Sequence, residues 1–81
     1  MSITVYVIRH SKSGELYKGQ TSDVTKRVEQ HNQGQTKSTK RLSGEWHLVY
    51  SEEYDTRDEA LKREKYLKSA AGRRFLKKVL I

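Results

Sequence analysis

Apolar and polar positions alternate along this chain in two rhythms, and the change from one to the other marks its elements. From Ile3 to Ile8 (Ile-Thr-Val-Tyr-Val-Ile) nearly every position is apolar or β-branched. Such a run reads as a strand covered on both faces, with Ile3, Val5 and Val7 on one side and Thr4, Tyr6 and Ile8 on the other. The stretch His10-Ser11-Lys12-Ser13-Gly14 has the composition of a turn. Glu15 to Thr21 then returns as an antiparallel strand whose register brings Tyr6 and Tyr17 near one another. Gly19, close to its end, predicts close backbone approach by a ligand or another segment.

The spacing becomes helical after Thr21. Thr21, Ser22 and Asp23 offer an N-cap, Asp23 to Asn32 forms the helix, and Asn32-Gln33-Gly34 stops it. Gln35 to Glu45 is a polar, basic loop. Trp46 to Tyr50 reads as a third strand, with Trp46, Leu48 and Tyr50 on one face and His47 and Val49 on the other. Thr56-Arg57-Asp58-Glu59 is a capping box that opens a second helix with the inward stripe Ala60, Leu61, Glu64 and Leu67. Ser69-Ala70-Ala71-Gly72 reads as a break. A last helix, from about Arg73, turns Phe75, Leu76, Val79 and Leu80 inward and Arg74, Lys77 and Lys78 outward. The order is β-β-α-β-α-α, an α+β arrangement.

Three residues violate this pattern. Val24 and Val28 define the inward stripe of the first helix, yet Arg27 and His31 share that broad face by their i+3 and i+4 spacing. Glu64 interrupts the apolar stripe of the second helix. Charged or polar groups on faces that should be buried need partners, since burying them unpaired is costly. They either pair structurally or line a cleft.

Composition narrows the possibilities. At 81 residues the chain is expected to be a single domain spanning residues 1–81 with a thin core. There is no cysteine, which excludes disulfides and thiolate metal sites. No apolar run approaches the roughly 20 residues of a membrane helix, and the N-terminus lacks a signal-peptide pattern, so a soluble, cytoplasmic protein is expected. The net charge of +7 is segregated. Lys/Arg and Asp/Glu cancel up to Leu61, whereas from Lys62 onward eight cations face Glu64 alone. A second basic group, Lys37, Lys40 and Arg41, lies in the polar loop, and acids gather between Glu52 and Glu59. Segregated positive charge suits a polyphosphate partner, although a solvated lysine-rich helix surface has the same composition.

Tyr6, Tyr17, Arg27, His31 and Glu64 can share one chemistry, phosphodiester hydrolysis. Glu64 can hold a hard divalent cation that keeps most of its waters. Arg27 can bind the scissile phosphate and stabilise added negative charge. A tyrosine near the metal can take a proton from the attacking water if its pKa of about 10 is lowered, and His31 can relay that proton. No phosphate loop, Ser/His/Asp set or Cys/His cluster competes with them.

These positions resemble the GIY-YIG nucleases over nearly the whole chain. The first signature corresponds to Val5-Tyr6-Val7 and the second to Tyr17-Lys18-Gly19, followed by the step Gly19-Gln20-Thr21. The helix arginine and histidine match Arg27 and His31, and the metal-binding glutamate matches Glu64 within Ala60-Leu61-Lys62-Arg63-Glu64. The tail, Lys65 to Ser69 and Gly72 to Leu76, looks like that of small stand-alone members. The resemblance implies a three-stranded antiparallel sheet flanked by helices, and DNA cleavage with a single divalent cation, Mg2+ or Mn2+. It makes Tyr6 the general-base candidate and Tyr17 the group that positions water or phosphate. It also implies structure-selective use in repair or recombination. The signatures depart from the family pattern: the first lacks its glycine and has valine for isoleucine, the second has Lys18 for isoleucine, and no asparagine counterpart follows the glutamate. Both central tyrosines survive. No attached DNA-binding domain is expected, so specificity is expected to fall to the module or to a protein partner. Backbone contacts are expected from Lys18, Lys37, Lys40, Arg41, Lys65 and Lys68.

Each of these residues also has an ordinary role. The tyrosines are common strand aromatics. Arg27 can snorkel, His31 can sit at a helix C-terminus for the dipole, and Glu64 can pair with Lys68 at i+4. Two other functions stay open: a nucleic-acid-binding module without turnover, and a protein-interaction domain that uses the acidic Glu52–Glu59 edge.

Overall fold

A strand that is apolar on both faces must lie inside a sheet, and the first strand does. The computed structural model describes residues 2–34 and 45–80. Its elements are β1 (Ile3–His10), β2 (Leu16–Thr21), α1 (Val24–Asn32), β3 (Trp46–Tyr54), α2 (Arg57–Lys68) and α3 (Ala70–Val79). The strands form one antiparallel sheet in the order β2-β1-β3. On one face, Ile3, Val5 and Val7 pack with Ala60 and Leu67 of α2 and Leu76 of α3. On the other, Tyr6 and Ile8 pack with Trp46, Val24 and Val28. Full burial of Leu67 and Leu76 contributes about 1.5–3 kcal/mol each to holding α2 and α3 on the sheet. This is the expected α+β architecture.

Local chemistry sets the boundaries. Gly14 turns the β1–β2 hairpin with φ +75°. Asp23 caps α1, its carboxylate accepting the Lys26 N–H at 3.1 Å. Asn32 ends α1 and grips β3: its Oδ1 accepts the Trp46 N–H at 2.7 Å and its Nδ2 donates to the Trp46 carbonyl at 3.1 Å. Thr56 caps α2 by accepting the Glu59 N–H at 3.2 Å.

Five expectations are corrected. The third strand runs to Tyr54, not Tyr50, because the alternation continues through Glu52 to Tyr54. Its two faces do not hold a single phase. Val7 lies opposite Tyr50 but Ile8 lies opposite Leu48, so one extra residue is accommodated at a bulge. Trp46 and Leu48 therefore share the α1 face while Tyr50 moves to the α2 face.

In α2, Leu61 is 41% exposed, because the inward stripe is Ala60, Arg63, Glu64 and Leu67 rather than one that includes Leu61. Finally, α3 begins at Ala70, not Arg73, and Ser69 alone separates the two helices. Ser69 ends α2 and caps α3, its Oγ accepting the Gly72 N–H at 3.2 Å. Gly72 lies inside α3, at a position that admits no side chain, since a Cβ there would meet the Tyr66 carbonyl oxygen at 2.0 Å. Val79, expected inward, is 45% exposed near the end of α3.

Candidate active site

Tyr6 is the centre of the α1 face. It lies opposite Gly19 in the β1–β2 register, and Tyr17 lies opposite Ile8 on the same face. A Cβ at position 19 would stand 2.7 Å from the Tyr6 hydroxyl and 2.8 Å from its Cζ. The segment that approaches Gly19 is therefore the Tyr6 ring, which rests over the glycine of edge strand β2. The Tyr6 hydroxyl is 2.9 Å from His31 Nε2. The rings form a cluster: Tyr6 and His31 centroids are 5.9 Å apart, Tyr17 and His31 4.8 Å, and Tyr6 and Tyr17 6.3 Å.

The electrostatics follow from this burial. His31 is 2% exposed. Burial, aided by the nearby Arg27 charge, lowers its pKa to about 4, so the imidazole is neutral at pH 7. In the tautomer with its proton on Nδ1, the ring accepts the Tyr6 O–H at Nε2. Burial raises the Tyr6 pKa; the Arg27 guanidinium opposes this, while the Tyr17 and Glu64 charges add to it. The lowered phenol pKa expected of a general base is thus reversed in this structure, because desolvation outweighs the single nearby cation. Arg27 is half-buried, and its NH1 also donates to Gln30 Oε1 at 3.0 Å.

Glu64 reaches the cluster differently. Its helix lies on the other face of the sheet, and its field is felt at the Tyr6 phenol. Its side chain is only 14% exposed and is paired with Lys68 Nζ at 2.7 Å. The i+4 partner is present, as in the ordinary alternative. An ammonium at this carboxylate also marks a place where a cation is favoured. Among the described residues no three His, Cys, Asp or Glu gather as a metal-binding group. A cation at Glu64 would have a single protein carboxylate and would keep most of its waters, which suits a hard divalent ion.

The expected basic contacts divide into three. Lys18 is half-buried on the α2 side of β2, and its pKa is lowered by burial and by the charges of Arg73 and Lys68. Lys68 is engaged by Glu64, and Lys65 is exposed on α2. Lys37, Lys40 and Arg41 lie outside the described residues. Arg73, a neighbour of Lys18, was not among the expected contacts. Its place on the last helix is legible in the sequence, but its approach to Lys18 across the α2 side of the sheet is not.

Of the acidic edge, Glu53, Asp55, Asp58 and Glu59 are exposed, but Glu52 is not free to belong to it. Glu52 points inward, where Arg63 holds it through Nε at 2.8 Å and NH2 at 3.0 Å, and it accepts from Tyr50 and from Tyr54 at 2.7 Å. Burial would raise the Glu52 pKa, but these hydrogen bonds outweigh it and lower it. Tyr54 is pushed up to about 12 by burial and by its bond to Glu52. Arg63 also lies over the Tyr66 and Phe75 rings, at 4.8 and 4.9 Å. This set ties β3 to α2 and α3, and Glu52 is spent on it.

A hairpin with a tyrosine over a glycine, an arginine and a histidine on the following helix, and a glutamate on the next together define a known class. The chain belongs to the GIY-YIG catalytic domain family, whose model matches residues 2–78. UPF0213 proteins of Staphylococcus aureus, strains Mu3 and N315, are each 42% identical to it over 73 residues, covering 90% of this chain and 88% of the relative. The solution NMR structure of a UPF0213 protein from Bacillus halodurans is 29% identical, with a TM-score of 0.56, and covers 94% of this chain and 82% of its own.

Proposed function

We propose that this chain is an endonuclease that hydrolyses phosphodiester bonds in DNA, with a divalent cation, Mg2+ or Mn2+, held at Glu64. The contact between Tyr6 and a neutral His31 beside Arg27 carries the reading, in a chain of this family. When bound, the cation supplies charge for the transition state and lowers the pKa of water. Arg27 binds the scissile phosphate and stabilises its added negative charge. Tyr6 takes a proton from the attacking water as its own proton passes to His31 Nε2. A phosphate on Arg27 cancels part of the positive field at His31 and makes that imidazole a better acceptor. Tyr17, packed on His31, orients the water or phosphate. Lys18, Lys65 and Lys68 contact the DNA backbone, with Lys37, Lys40 and Arg41 extending that contact.

The test is cleavage of plasmid, single-stranded and branched DNA with each metal, branched DNA standing for repair and recombination intermediates. Arg27→Ala is expected to slow cleavage by about 100- to 1,000-fold, and Glu64→Ala to abolish it. Unchanged cleavage by Glu64→Ala removes that residue from the mechanism. A second reading, a DNA-binding module without turnover, draws support from the raised Tyr6 pKa and the Lys68 ammonium on Glu64. It predicts salt-sensitive binding and no cleavage with either metal.

A further inference from the structure

A cleft of about 410 Å³ opens beside Arg27, between the end of β2, the first turns of α1 and the start of α2. Its walls carry Gln20, Asp23, Lys26, Arg27, Gln30 and Arg57. Three of these are cations. Elsewhere in the molecule, Arg63 and Lys68 are closed off by carboxylates. Among the described residues, no carboxylate closes an ion pair with Lys26, Arg27 or Arg57. The Arg57 guanidinium reaches across to Gln20 Oε1 at 3.4 Å, and Arg27 to Gln30 Oε1 at 3.0 Å, so both are held by neutral amides. The one acid, Asp23, is turned to its own helix, where it accepts the Lys26 N–H. The cleft therefore presents a net positive charge, three cations against one acid that is already engaged, which suits an anion.

Arg27 belongs both to this cleft and to the tyrosine–histidine cluster, so whatever lies in the cleft continues directly from whatever lies at Tyr6. We propose that the cleft is a backbone subsite for DNA: Lys26 and Arg57 hold a phosphodiester group next to the one presented to Arg27. Arg57 is the distinguishing member. It is the first residue of α2, the helix that also carries Glu64, so a strand held by it is held by the same rigid element as the metal-binding carboxylate. The subsite rests on the nuclease reading for its substrate but not on turnover.

The experiment measures binding of an end-labelled DNA duplex by fluorescence anisotropy, in chelator, across a KCl series. Arg57→Gln and Lys26→Gln, both at exposed positions, are compared with wild type and with Lys77→Gln on α3. Each cleft variant is expected to weaken binding several-fold and to reduce the slope of log affinity against log salt by about one. Lys77→Gln is expected to leave the slope as in wild type. Unchanged slopes in both cleft variants overturn the subsite, as does a slope lost equally in Lys77→Gln, which would reduce the effect to bulk charge. Because chelator stops metal-dependent chemistry, the two readings separate. If the slopes fall as expected but no metal supports cleavage, the nuclease reading fails alone. If wild type cleaves while the slopes hold, the subsite fails alone. A wild-type chain that does not bind the duplex at low salt overturns both.

Discussion

Gly19 shows most directly how one residue sets the chemistry. Its missing side chain is the space in which the Tyr6 phenol lies, and Tyr6 is 1% exposed, with nowhere else to go. Gly19→Ala is therefore expected to destabilise the fold by about 1–3 kcal/mol through overpacking. It should also lengthen the Tyr6–His31 contact. Thermal unfolding reads the first effect, and the NMR shifts of the His31 ring read the second. Arg27 and His31 stand out as candidates in the sequence because they sit where apolar residues belong on an amphipathic helix, and Tyr6 and Tyr17 only because they fall at the positions of the family signatures. Lys26 and Arg57 do not stand out. They occupy solvent-facing positions where any cation is ordinary, and only the meeting of β2 with α2 makes them neighbours. The direction of the Tyr6 pKa was also hidden, since it depends on how completely the ring is buried.

Periodicity predicted where the elements lie but not their phase at every position. The hairpin, the caps at Asp23 and Thr56 and the inward faces of β1 all follow from it. The bulge opposite Val7/Ile8 does not, because an extra residue in a strand leaves each half looking regular. Leu61 reads as inward for a related reason: the salt-bridged Arg63 occupies inward space that an apolar residue would be expected to fill. The α2–α3 joint carries a prediction of its own. A Cβ at Gly72 would collide with the backbone of Tyr66 and Leu67, atoms that cannot swing aside as a side-chain end can. Gly72→Ala is expected to cost about 3 kcal/mol, whereas Ala71→Gly, an exposed neighbour, should cost about 1 kcal/mol from helix propensity alone. Urea denaturation of the two variants checks the ranking.

At the scale of the whole molecule, the buried His31 links stability to pH. Its folded pKa of about 4 lies below the ordinary 6.5, so the unfolded chain binds a proton first as pH falls. Stability from this group is intact above about pH 6.5, declines between about 6.5 and 4, and changes no further below that. His31→Gln is expected to flatten this part of the curve of melting temperature against pH. An unaltered slope in that variant would mean that other groups set the acid limit. The positive charge follows a similar whole-molecule logic. The net excess falls after Leu61 in the sequence, but folding regroups the cations: Lys18 of β2 adjoins Lys68 and Arg73, while Arg57 of α2 joins Lys26 and Arg27 beside α1. A tally along the chain cannot show that regrouping.

Sharing a lone serine between two helices also limits how relatives of this chain can change in length. One residue added at Ser69 would rotate everything after it by about 100°, carrying Leu76 out of the core and Arg73 away from Lys18. The open hairpin bend at Gly14, where an added Cβ would meet nothing, has no such constraint. Natural insertions and engineered fusions should accumulate at the bend and be purged from the joint.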